Sequence, residues 1–201
     1  MVRTVVFSLC IVAALVSPPR SSAQTVDAHR LTVSAVIVGR TETAQVTLTW
    51  DSLVADGQPL LGRVIPLDKP WLLGATAPPV LATTTPLRIG SLDVPAGSFT
   101  LRAVATQNAV QLVVVRQTKS DSAEYSPDSV IGTVPMTVDS AAEPVAHLTM
   151  QIRIERFGPD ASGVEMSRVG NRETIVFHPG TRTTLLIAWD RLLWSVPIAA
   201  R

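Results

Sequence analysis

Apolar and polar side chains alternate along much of the chain. In the stretch AQVTLTW, Val46, Leu48 and Trp50 alternate with threonines, which places the apolar side chains on one face of a predicted strand. The same period of two recurs further along. Its apolar positions are Phe99, Leu101 and Ala103, then Leu148, Met150, Ile152 and Ile154, and finally Leu185, Ile187 and Trp189. The pattern predicts a protein built of β-strands.

The segments between these runs favour short strands joined by turns. VQLVVV, at residues 110–115, is apolar on both faces and fits a central strand. Prolines are spread along the sequence and interrupt any long helical pattern. We therefore predict an all-β fold, an antiparallel β-sandwich or a jelly-roll-like barrel. No segment has the composition of a long linker, so residues 24–201 are predicted to form a single domain.

The stretch LDVPAGSFTL contains a turn signal between two alternating runs. Proline presets φ for a turn, and glycine tolerates a positive φ, so Pro95, Ala96 and Gly97 predict a hairpin turn with Gly97 at positive φ. The neighbouring Ser98 has no histidine or lysine near it in the sequence to activate it as a nucleophile. We interpret this stretch as scaffold and not as a site.

The first 23 residues have the pattern of a secretory signal peptide. Arg3 precedes an apolar run over residues 5–16, and the small residues Ser21 and Ala23 follow it. The run is shorter than the roughly 20 residues that a membrane span requires. We expect cleavage after Ala23, a mature chain starting at Gln24, and a secreted or periplasmic location without a stable membrane span.

Removal of this leader changes the charge balance and the cysteine count. The chain has 17 basic and 16 acidic residues. Because Arg3 and Arg20 leave with the leader, acidic residues then exceed basic ones by one, which gives no indication of nucleic-acid binding. Cys10 is the only cysteine. The exported protein would therefore contain no disulfide and would be held together by its core.

Several motifs together resemble the bacterial domain-of-unknown-function family 2911 (DUF2911). They are VIPLDKPWLLGA, LRIGSLDVPAGSFTL, VQLVVVRQT, VIGTVPM, LTMQIRI and TTLLIAWDRLLWSVPI. The resemblance covers about residues 43–198 and identifies the chain as a divergent member. It implies a β-rich exported protein, and it implies no activity, because the family carries no agreed function.

The sequence departs from the family pattern at its polar positions. Leu72 stands where the family usually has arginine, and Thr76 and Ala77 stand where it usually has Asn-Glu. If those polar residues form a family site, this chain has lost most of it. Trp71 remains there, and two roles stay open for it: packing in the core, or stacking its ring on a ligand.

Histidines and acidic residues offer few candidates for chemistry. His29, His147 and His178 lack the short spacings of zinc sites, although folding could bring His147 and His178 together. In SDSAEYSPDS, acidic residues flank Tyr125 in a solvated loop or a calcium-binding one. These flanking residues are Asp121, Glu124 and Asp128. No motif indicates a cofactor.

Two functions of different kinds fit these observations. The favoured one is a non-catalytic, exported β-sandwich of the cell envelope that binds a small molecule, a glycan or an envelope protein, with Trp71 and Tyr125 as candidate ligand-binding residues. The alternative is a hydrolase or a metal-assisted enzyme whose site is assembled from dispersed residues. Those residues would be His147, Glu155, His178 and Asp190.

Overall fold

The computed structural model describes residues 30–39, 41–117, 125–157, 164–169, 172–177 and 181–201. Their secondary structure is almost entirely β, with one 3₁₀ turn at Pro127–Ser129 and no α-helix in this part of the chain. None of the described residues forms a helix that is long and apolar enough to cross a membrane. The strands are β1 (Arg30–Val38), β2 (Thr43–Asp51), β3 (Pro70–Trp71), β4 (Val80–Thr83), β5 (Leu87–Ile89), β6 (Leu92–Val94), β7 (Gly97–Ala105), β8 (Val110–Arg116), β9 (Val130–Phe157), β10 (Val164–Val169), β11 (Arg172–Phe177) and β12 (Thr181–Ala200).

The strands form one continuous mixed sheet. Its order is β10-β11-β1-β2-β4-β7-β8-β9-β12-β5-β6, and β3 pairs with β7 beside this path. The all-β prediction is confirmed. The sheet differs from a purely antiparallel one because β1 and β11 run parallel. Among the described residues its end strands, β10 and β6, do not pair with each other, so the sheet is not closed into a barrel.

One half of this sheet runs from β10 to β8 in the strand order, and the other half runs from β9 to β6. The two halves pack face to face around one hydrophobic core. Alternating residues of β2, such as Leu48, join residues of β9 and β12, such as Met150 and Ile187, in a single buried cluster. The indole Nε1 of Trp50 donates a hydrogen bond to the backbone oxygen of Leu148 at 3.0 Å, which ties β2 to β9. The alternation seen in the sequence therefore marks the core-facing side of both halves.

The long strands β9 and β12 form an irregular antiparallel ribbon. Thr149 pairs with Ala188 and Val145 with Asp190, so residues 146–148 of β9 lie opposite Trp189 alone. This bulged part of β9 bonds instead to the segment after β2, where Leu148 N donates to the oxygen of Leu53 at 2.7 Å. Extra residues on one strand bend a ribbon and increase its twist. The bulges therefore shape the β9–β12 ribbon and connect it to the other half of the sheet.

The Pro95–Gly97 stretch is a corner and not the predicted hairpin turn. The strand before it, β6, pairs with β5, whereas the strand after it, β7, pairs with β4 and β8. The stretch therefore carries the chain from one half of the sheet to the other. Gly97 has φ +143°, as the sequence predicted, which is a conformation that side-chain-bearing residues rarely adopt. The scaffold interpretation agrees with this geometry, although the turn type does not.

Candidate functional site

The outward-facing positions of β12 change phase along the strand. Before the bulges, Leu185 and Ile187 are buried in the core while Thr184 and Leu186 lie on the outer face. After the bulges the even positions, such as Trp194, face the core instead. Because side chains alternate along a strand, such a change requires an irregular residue. Asp190, with φ +50° between two register shifts, supplies it.

The bulges create a groove on the outer face of the ribbon, which we call the ribbon groove. In a straight strand, Leu186 and Leu193 would lie about 23 Å apart. Both nevertheless line one groove of about 330 Å³, which agrees with a bend of the ribbon at the register shifts between them. Its lining residues are Asp139, Arg153, Ile154, Thr184, Leu186, Leu193 and Ser195.

The ribbon groove combines an apolar surface with two exposed charges. Leu186 and Leu193 are half-buried and give the groove its apolar surface, together with Ile154, which also packs against the core. Asp139 and Arg153 are exposed, and within the described part of the chain no ion pair joins them. Asp139 Oδ1 accepts a hydrogen bond from Ser140 N at 2.7 Å. This arrangement suits a ligand that carries both charged and apolar groups.

Trp71, a candidate ligand-binding residue, lies in the core. Its side chain is only 8% exposed and its ring stacks on Trp189, with centroids 5.7 Å apart and an angle of 3° between the planes. Trp194 meets it edge-on at 6.3 Å. The cavity beside these rings has a volume of about 10 Å³, about the minimum that holds one water molecule. This geometry supports core packing, and stacking on a ligand would require the three rings to separate.

The segment after Trp71 contains Leu72, Thr76 and Ala77, at which the chain departs from the pattern of the family that it resembles. Leu73 is fully buried at φ +55°, and a Cβ on Gly74 would lie 2.5 Å from the oxygen of Ala77, so only glycine fits there. The Thr76 hydroxyl donates to Asp51 Oδ2 at 3.1 Å. Asp51 also accepts a hydrogen bond from Arg30 at 3.3 Å. The threonine thus anchors this segment to the end of β2.

Tyr125, the second candidate ligand-binding residue, covers a buried arginine. The guanidinium of Arg102 lies 5.0 Å from the centroid of the Tyr125 ring, and Arg102 is 3% exposed. Burial lowers the pKa of Arg102, and the interaction with Tyr125 acts in the opposite direction. Arg102 alternates with Leu101 and Ala103, which belong to the core, so Tyr125 packs on the outer face of β7.

The acidic residues around Tyr125 are only partly described by the structure. Asp128 is exposed in the 3₁₀ turn, whereas Asp121 and Glu124 lie outside the described residues. Calcium binding by this loop therefore stays a prediction.

The residues of the enzyme alternative are also described only in part. His147 is exposed on the bulged part of β9, where its backbone pairs with Val54. Asp190 pairs with Val145, and Glu155 lies near the end of β9. His29 and His178 lie outside the described residues, so the convergence of His147 with His178 stays a prediction. Within the described ranges, no group of three His, Cys, Asp or Glu side chains could hold a metal ion.

Sequence reasoning missed the residues of the ribbon groove. The signal for it is present in the printed sequence: Leu185, Ile187 and Trp189 are odd-numbered, whereas Trp194, Val196 and Ile198 are even-numbered. A change of phase inside one predicted strand indicates a bulge. That Arg153 and Asp139 lie on either side of this bulge and line one groove can be seen only in the folded structure.

Comparison with known protein families gives a match over more than half of the chain. The model of the family described as "Protein of unknown function (DUF2911)" matches residues 31–167. The chain belongs to the DUF2911 family. The match begins earlier than the resemblance seen in the sequence and ends before β12, so it includes Asp139 and Arg153 and excludes the β12 side of the ribbon groove. No curated protein and no solved structure matched the chain.

Proposed function

We propose that this DUF2911 protein is a non-catalytic binding module of the bacterial cell envelope that holds a small ligand in the ribbon groove. The observation that carries the proposal is the groove itself. Its volume of about 330 Å³ falls within the range of small-molecule sites, which is roughly 300–1,000 Å³. Apolar residues and a few charged groups converge there, as they do in typical ligand pockets.

The position of the groove supports a binding role. It lies on the outer face of a ribbon whose other face packs into the core, so the backbone around it is held by two hydrogen-bonded strands. A site on paired strands needs little ordering when a ligand binds, which favours affinity.

Export is supported by the pattern of residues 1–23. If the leader is removed after Ala23, mass spectrometry of the secreted or periplasmic product will give a chain that begins at Gln24. A product that retains Met1 and fractionates with the membrane would overturn the proposed location.

A thermal-shift screen of the exported product tests the binding role. The panel contains free amino acids, dipeptides, maltooligosaccharides, chitooligosaccharides and fatty acids. A ligand of the groove will raise the Tm of the parent protein, since it binds the folded state only. The variant Leu186→Arg, which places a long cation in the groove, will lose this shift.

Gln111→Arg is the matched control because Gln111 is an exposed strand residue of β8 that does not line the groove. We expect it to keep the ligand-induced shift. A shift that survives in Leu186→Arg would exclude the groove as the site, and a panel without any hit would overturn the binding role.

A further inference from the structure

We infer that the ligand of the ribbon groove is a zwitterion with apolar side chains, of the amino-acid or short-peptide class; the inference rests on the proposed binding function. Its basis is the placement of one positive and one negative side chain on opposite sides of the bulges in the β9–β12 ribbon. Arg153 pairs with Thr184 before the bulges, and Asp139 pairs with Leu193 after them. Both line the same groove.

The two charges are available to a ligand. Both side chains are exposed, and in the described part of the structure neither forms an ion pair with the other or with a third residue. A guanidinium binds a carboxylate through two parallel hydrogen bonds, and a carboxylate accepts hydrogen bonds from an ammonium group. Arg153 therefore suits the carboxylate of the ligand, and Asp139 suits its ammonium group.

The apolar lining of the groove suits a ligand with aliphatic side chains between its two charged groups. Leu186 lies before the bulges and Leu193 after them, and both are half-buried in the groove. Ile154 adds a third apolar side chain. An aliphatic ligand side chain in contact with these residues removes apolar surface from water. A dipeptide of leucine combines such side chains with one carboxylate and one ammonium group.

Other small ligands fit the lining less well. The described lining contains no aromatic ring on which a sugar could stack. A fatty acid would satisfy Arg153 and leave the carboxylate of Asp139 facing an apolar chain, which is unfavourable. Charge complementarity at both ends is the feature that favours a zwitterion.

Calorimetric titration of the exported product tests the inference with three probes: leucyl-leucine, N-acetyl-leucyl-leucine and leucyl-leucinamide. Acetylation removes the ammonium charge, and amidation removes the carboxylate. We expect each change to weaken binding to the parent by about tenfold or more, as for the loss of a hydrogen bond to a charged group.

Two variants assign each charge to its partner. Asp139→Asn will bind leucyl-leucine and its N-acetyl form with similar affinity but will still discriminate against leucyl-leucinamide. Arg153→Gln will show the opposite pattern. The controls Glu143→Gln and Arg116→Gln change exposed charges outside the groove and will keep both discriminations.

The outcomes separate this inference from the proposed function. If the blocked dipeptides bind as tightly as leucyl-leucine, or a sugar or fatty acid binds instead, and Leu186→Arg abolishes that binding, the zwitterion is wrong and the groove remains a binding site. If no panel member binds, both proposals are overturned. Discrimination that is unchanged in Asp139→Asn and Arg153→Gln would also overturn the zwitterion.

Discussion

The rings of Trp71 and Trp189 lie parallel in the core, 5.7 Å apart between centroids. Trp71 belongs to the two-residue strand β3, which pairs with β7 beside the main path of the sheet, and Trp189 lies opposite the bulged part of β9. The stack therefore joins two places where the sheet is locally irregular. Trp194 packs edge-on against Trp71 and completes the contact between the two halves of the sheet.

Trp71→Ala tests the structural role of this stack. Removing the ring leaves a cavity between the two halves, so we expect the free energy of unfolding to fall by about 3–5 kcal/mol. Trp71→Phe keeps an aromatic ring and should lose less. Denaturant unfolding measures both. A Trp71→Ala protein that unfolds like the parent but no longer binds its ligand would support the ring-stacking role instead.

The alternation of side chains was sufficient to predict the core-facing side of β2 and of parts of β7, β9 and β12. Val46, Leu48 and Trp50 are all buried, as their period of two requires. The parallel pairing of β1 with β11 could not be predicted in this way, because a period of two is the same for parallel and antiparallel strands. A parallel pair is specified by contacts between distant parts of the chain.

The ribbon groove could not be predicted from the local sequence. Its charged residues come from β9 positions 14 residues apart, Asp139 and Arg153, which a regular strand would hold far from each other. They line one groove because the ribbon bends at the bulges around Asp190. The sequence contains a phase change in β12, but the direction and extent of the bend depend on packing against the rest of the sheet.

Asp190 is the residue at which this bend can be tested. Its φ of +50° lies in the left-handed region, which glycine and aspartate tolerate and β-branched residues do not. Asp190→Gly should change the free energy of unfolding by less than about 0.5 kcal/mol and keep ligand binding. Asp190→Val should lower stability by about 1–3 kcal/mol and reduce binding in the groove.

Chemical unfolding and titration of leucyl-leucine measure these two properties in parallel. As a control, Arg191→Val places a β-branched residue at the next position, where the backbone has a negative φ. It should cost less than about 1 kcal/mol, through the loss of the exposed hydrogen bond from Arg191 to the backbone oxygen of Ala142. If Asp190→Val is as stable as the parent, the left-handed backbone at this bulge is not what shapes the ribbon.

Tyr125 should contribute to stability through its ring and not through its hydroxyl. The ring lies over the Arg102 guanidinium, and a partly desolvated cation–π contact is worth about 1–2 kcal/mol. We expect Tyr125→Ala to lower the free energy of unfolding by about that amount and Tyr125→Phe to lower it by less than 0.5 kcal/mol, roughly the error of such measurements. Equal losses in the two variants would assign the effect to the hydroxyl.

The corner at Gly97 gives the sharpest test of scaffold against site. A Cβ at this position would meet only the Phe99 ring at 3.5 Å, so space is available, but φ is +143°. Gly97→Val should therefore lower the free energy of unfolding by about 1–3 kcal/mol through backbone strain alone. The adjacent Ala96 is exposed with an ordinary φ, so Ala96→Val is the matched control and should change stability by less than about 0.5 kcal/mol.

Ser98→Ala tests whether the hydroxyl next to this corner is needed for stability or for binding. Its hydroxyl donates to Gln117 Oε1 at 2.5 Å in an exposed position, and the loss of such a bond should cost less than about 1 kcal/mol. Ser98→Ala should therefore unfold almost like the parent and bind leucyl-leucine unchanged. Denaturant melts and calorimetric titrations of Gly97→Val, Ala96→Val and Ser98→Ala decide the matter together. Loss of binding in Ser98→Ala, with Gly97→Val as stable as Ala96→Val, would make this corner a site.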